Sequence, residues 1–103
     1  MSRISSIKQM FIVIADIQLK KGLETDFKEW FSESNKILSK FDGFVSRRLL
    51  ESADGKHRII VEHKSKETFE KMHQSQEHAR LHATAITFME IPPAPKFYNV
   101  ASS

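Results

Sequence analysis

The chain has 103 residues, 40% of them hydrophobic and 28% charged, with a net charge of +3 at neutral pH; this is one domain, small enough that pairing with a second copy would help its stability. It has no cysteine, which excludes disulfides, zinc–thiolate sites, iron–sulfur clusters and thiol catalysis, and fits a cytoplasmic protein. The longest apolar run, Met10 to Ala15, stops at Asp16 and is too short to span a membrane, no leader is expected because Ser5, Ser6, Lys8 and Gln9 interrupt any apolar stretch, and Lys20-Lys21 and Arg47-Arg48 are only pairs, so no nucleic-acid stripe forms.

Residues 1–9 read as an N-terminal extension and 10–101 as the folded domain. Met10 to Leu19 predicts a strand, with Phe11, Val13, Ala15, Ile17 and Leu19 on one face by period-two alternation. Its other face begins apolar at Met10, Ile12 and Ile14, which predicts a covering layer, most simply a second subunit. After the Lys20-Lys21-Gly22 turn, Leu23, Phe27, Trp30, Phe31, Ser34, Leu38 and Phe41 recur at helical spacing and predict a helix from about Glu24 to Lys40, stopped by Asp42-Gly43. Phe44 to Glu51 and His57 to His63 predict two strands joined by a hairpin at Asp54-Gly55. Ser65 and Ser75 are expected to cap two helical pieces, the second running to about Phe88 with Leu81, Ala85 and Phe88 on its apolar face. Pro92-Pro93 and Pro95 break the chain before a last strand over Lys96 to Val100. The order βαββαβ predicts an α+β domain of ferredoxin-like type with an antiparallel sheet.

Four segments in this order carry a family resemblance. They are Ile14 to Gly22, Phe41-Asp42-Gly43-Phe44, Glu62-His63-Lys64-Ser65 and Pro92 to Val100. Together they resemble the antibiotic biosynthesis monooxygenase (ABM) family, whose members fold as ferredoxin-like domains and pair into a dimeric α/β barrel. The third segment is similar to the Glu-x-Trp-x-Ser motif of the branch that holds the IsdG-type haem-degrading monooxygenases, with His63 in place of the tryptophan. That resemblance places His82 at the axial haem ligand, hence at the metal-binding position. The branch's pocket tryptophan falls on Met72 and its catalytic asparagine on Ala15.

The resemblance implies a homodimeric monooxygenase acting on a small planar or aromatic ligand in a pocket between helices and sheet. Haem is the candidate cofactor, held through His82; otherwise no cofactor is expected. Alternatives are a cofactor-independent oxygenase of a quinol-like or polyketide-like aromatic, and a non-catalytic dimer that binds a planar molecule. His78 and His63 are the candidate catalytic groups, as proton donor and pocket wall; His63 can equally be core. Phe27 and Phe31 pack the first helix and can line the pocket, with Ala15 and Met72 beside the ligand. His78 and His82 are four apart and could hold a metal ion given a third ligand such as His73 or His63. His57, next to the hairpin turn, is expected at the surface. Gly43 and Gly55 stand alone, and no Gly-rich phosphate loop or nicotinamide motif is present.

Overall fold

The computed structural model describes residues 10–103, so the extension expected over 1–9 lies outside the described residues. Strand β1 spans Phe11–Leu19. Its β-branched and aromatic residues suit a pleated, half-buried surface, and Phe11, Val13 and Ile17 all turn inward and are buried. Gly22 turns the chain at φ 90°. Helix α1, Glu24–Leu38, buries Phe27, Phe31, Ser34 and Leu38 as one stripe, with Glu24 and Asp26 in its first turn and Lys36 in its last, as the helix dipole favours. It ends two residues before the expected Lys40, because Lys40 and Phe41 donate to Ile37 and Leu38 and tighten the last turn.

Strands β2 (Phe44–Glu51) and β3 (His57–His63) pair antiparallel over the expected residues. Gly55 takes φ 85° in the connection and donates to the Ser52 carbonyl at 3.0 Å. Helix α2, Lys66–His73, starts with a reciprocal cap: the Thr68 N–H donates to Ser65 Oγ at 3.1 Å and the Ser65 N–H to Thr68 Oγ1 at 3.3 Å. Helix α3, Gln76–Ala85, is capped by Ser75 and gives way to a 3₁₀ turn over Ile86–Phe88.

The expected final strand is present, and a short strand precedes it. Strand β4, Met89–Ile91, was not foreseen, and β5 spans Lys96–Asn99. The prolines between them remove donors and force the break. Strand β4 escapes sequence reading because it is three residues long and pairs with β1 only at Gln18 and Leu19, across a register shift. The sheet runs β2-β3-β1, and β4 and β5 share the far edge of β1. The fold is an antiparallel sheet with three helices on one face, a ferredoxin-like α+β domain. No helix among the described residues is long and apolar enough to cross a membrane.

Two hydrophobic clusters fill the space between sheet and helices. One holds Phe11, Val13, Leu38, Val61, Phe69 and Met72. The other holds Ile17, Phe27, Phe31, Ala85 and Met89. Ile59 packs against both. His57 corrects an expectation: it is buried, its Nε2 sits 2.7 Å from Glu51 Oε2, and Lys28 of α1 reaches the same carboxylate at 3.1 Å. The register explains this, since His57 lies opposite Ile17 on the inward face of β1.

Gly43 and Gly55 both have positive φ, but a methyl group at Gly43 would overlap the Thr68 side chain, whereas none would be touched at Gly55. Gly55→Ala should therefore cost about 1 kcal/mol, the conformational term alone. Gly43→Ala should cost clearly more, because it must also displace the threonine that caps α2, itself worth about 1 kcal/mol. Thermal melts of the two variants check this; equal losses would mean that β2 and α2 do not approach as closely as described.

Candidate functional site between the helices and the sheet

Large side chains at positions 11, 13 and 17 of β1 support the helix layer, but position 15 is alanine. Ala15 lies opposite Ile59 of β3, and both are only partly buried. Helix α3 leans mainly on α1, less on α2, and has little contact with the strands. The middle of the inner sheet face, between the two clusters, is therefore only partly covered.

Arg47 enters this region from β2. It lies opposite Val61, on the inward face. Its Nη1 donates to Ser34 Oγ at 2.8 Å and to Asn35 Oδ1 at 2.7 Å, and its guanidinium carbon lies 4.1 Å from the centre of the Phe31 ring. The Asn35 amide returns a bond to the Arg47 carbonyl at 2.7 Å, so α1 and β2 are joined in both directions. No carboxylate pairs with Arg47 among the described residues. Burial lowers its pKa to about 10, still charged at neutral pH. An open cleft of about 430 Å³ between α1 and the edge strand β2 is lined by Arg47 with Phe31, Asn35 and Leu49.

The histidines have different fates. His63 is fully buried; its Nδ1 lies 3.0 Å from Thr68 Oγ1, its Nε2 3.4 Å from Met72 Sδ, and its ring stands edge-on to Phe44 and Phe69. With both nitrogens engaged, it ties β3 to α2. His78 on α3 is half-buried. Burial, then the charges of His73, Arg47 and His82, lower its pKa to about 4, so it is neutral at pH 7. His82, one turn on, is exposed, with its ring 6.3 Å from that of His78 and nearly parallel. His73 lies on the other side of His78, 4.4 Å between ring centres.

Of the other expected residues, Ala15 borders the thinly covered region. Phe27, Phe31 and Met72 are core, at 0%, 4% and 2% exposure. The His78–His82 pair has no third ligand, since no group of three His, Cys, Asp or Glu among the described residues could hold a metal ion. Arg47, Ser34 and Asn35 were not foreseen as a site. The signal was an arginine sharing alternation with Leu49, but an irregularity between Phe44 and Ser46 shifts the register and hides which face it takes. The largest cleft, about 1060 Å³, lies around Asp16, Leu50, Lys56 and Arg58 and contains none of the expected residues.

This arrangement defines a small ferredoxin-like domain with a site between its helices and its sheet. The chain belongs to the antibiotic biosynthesis monooxygenase family, whose model matches residues 10–84. Its fold is similar to that of a conserved protein from Methanosarcina mazei, at TM-score 0.83 and 11% identity over 92% of this chain and 96% of that one. It is also similar to Rv0793 from Mycobacterium tuberculosis, at TM-score 0.78 and 18% identity over 91% and 97%. SnoaB, a cofactor-independent oxygenase from Streptomyces nogalater, superposes at TM-score 0.81 and 11% identity over 92% and 96%. No curated protein matches the sequence.

His78 and His63 both have pKa values lowered by burial. Between the folded value of His78, about 4, and the ordinary 6.5 the unfolded chain binds more protons, so their contribution to stability is present above pH 6.5 and is lost as pH falls. The melting temperature should drop between about pH 7 and about pH 4.5, and by less in His78→Gln. An unchanged drop in the variant would place His78 in water.

Proposed function

We propose that the protein is a cofactor-independent monooxygenase of an electron-rich planar aromatic, working as a homodimer in the cytoplasm. The observation that carries this is His78, a neutral, half-buried imidazole on α3 whose pKa responds to the charge of Arg47. Oxygen reacts slowly with closed-shell molecules because of its spin. A protein without redox groups overcomes this by holding a substrate whose anion can itself give up an electron. Here the imidazole accepts a proton from an acidic C–H or O–H of the substrate, and the nearby Arg47 charge favours the resulting anion. The anion passes one electron to O₂, the two radicals combine into a hydroperoxide, and loss of water leaves a new carbonyl. For a ring CH₂ the balance is CH₂ + O₂ → C=O + H₂O. The protein's part is to exclude water, hold the ring flat and manage that proton. The family and the similarity to SnoaB support this reading.

Oxygen uptake with a panel of anthrones and hydroquinones tests it. Wild type should consume O₂, and His78→Gln should be slower by about 10²-fold or more, the usual scale of general-base catalysis. No uptake with any member of the panel would reject the reading.

Haem is a second reading, favoured by His82, whose exposed imidazole has no hydrogen-bond partner among the described residues. The remaining residues fit haem poorly: Phe27 and Met72 are committed to the core and offer no surface to a porphyrin. Titration with haemin separates the readings. A saturable Soret band lost in His82→Ala would favour haem.

The dimer rests on the outer sheet face. Ile12, Ile14, Ile60, Leu50, Ile91 and Tyr98 share it by register, and Leu50, Ile91 and Tyr98 are 44%, 60% and 47% exposed. A second copy placed sheet to sheet would cover these side chains. Light scattering should give the dimer mass at micromolar concentration; a monomer there would refute the pairing.

A further inference from the structure

A half-buried guanidinium is commonly paired with a carboxylate, because withdrawing a charge from water has a cost that uncharged partners offset only in part. Arg47 faces none among the described residues. Its partners are a hydroxyl, an amide oxygen and an aromatic face, all neutral. Both side-chain hydrogen bonds leave from Nη1. Nε and Nη2 donate to nothing described, yet no buried side-chain nitrogen among the described residues lacks a partner, so these two atoms are reachable from solvent. They are adjacent edges of one planar fork, the geometry that accepts two oxygens of a single anion. Asn35 and Ser34 hold the opposite edge, which fixes the fork's direction. Phe31 lies beneath the guanidinium, and the cleft between α1 and β2 leads to it.

We propose that Arg47 is an anion anchor and that the site takes a planar aromatic bearing a carboxylate, or an equivalent pair of acidic oxygens, bound by Nε and Nη2. This deepens the oxygenase reading and rests on it for the chemistry, but the binding claim stands separately. A ring attached to an anion held at this fork would lie in the cleft between α1 and β2, against Phe31 and Leu49. The alternative, that Arg47 merely fastens β2 to α1, would leave three of its five N–H donors unused by the protein.

The test uses naphthoate and naphthol, planar probes of similar size that differ in charge at neutral pH, titrated into the purified protein by calorimetry. Wild type should bind naphthoate more tightly by on the order of 10- to 100-fold, the value of charge-assisted hydrogen bonds to one anion. Arg47→Met should bind both probes alike and melt no lower than wild type, since an unpaired buried charge has been replaced by an apolar side chain of similar length. Arg47→Lys, which keeps the charge but not the fork, should lose most of the preference, and it decides the matter if Arg47→Met does not fold. Equal binding of the two probes by wild type, no binding of either, or an undiminished preference in the variants would overturn the anchor. If the preference holds while no aromatic consumes O₂, the oxygenase reading falls and the anion site remains.

Discussion

The structure depends on strand β1 pairing along both edges. On one edge it meets β3 from Phe11 to Ile17; on the other, β5 over Phe11 to Ile14 and β4 at Gln18 and Leu19. Every other element takes its place from that strand. Its inward side chains divide the interior, because Phe11 and Val13 seed one cluster, Ile17 seeds the other, and Ala15 supports neither. A deleted large side chain in a core ordinarily costs about 2–5 kcal/mol. The domain tolerates a small residue here because Ile59, opposite it, touches both clusters and joins them. The one alanine among the inward residues of the central strand thus lies between the two clusters.

Arg47 shows how close the balance is. Desolvating its charge costs several kcal/mol. Two hydrogen bonds at about 1.5–3 kcal/mol each, and a desolvated cation–π contact of about 2 kcal/mol, are of the same size. An anion would tip this balance; without one the arginine adds little to stability. Such a residue is better explained by what it can bind than by what it holds together. Three of the histidines make a related point, since one kind of side chain has three properties. His63 is closed off by Thr68 and Met72, His78 is kept neutral by burial and nearby charges, and His82 stands in water. In His78 partial burial and the Arg47 charge act together on one imidazole.

Much of the architecture was legible in the residues. Alternation marked β1, helical spacing marked α1, and Asp54-Gly55 marked the hairpin, because these patterns are local and their periods differ. The caps at Ser65 and Ser75 were equally plain, since a side-chain oxygen meets a backbone N–H three residues away. The resemblance in four short segments led to the family. What stayed hidden was non-local. Strand β4 exists through two pairings with β1, and His57 is buried because register, not its distance from a turn, selects its face.

The candidate site divides along the same line. The family resemblance, not spacing, put Ala15 and His82 forward as pocket residues. Which histidine is sealed, which is kept neutral and which is exposed depends on how α3 leans on α1 and α2, and no periodicity carries that angle. Arg47 looked like one half of a surface pair with Arg48. Sequence determined the elements, their order and the apolar faces they must bury, because those follow from spacing along one chain. Tertiary structure alone decided that Arg47 turns inward without a carboxylate, since the irregularity at the start of β2 sets which face each arginine takes.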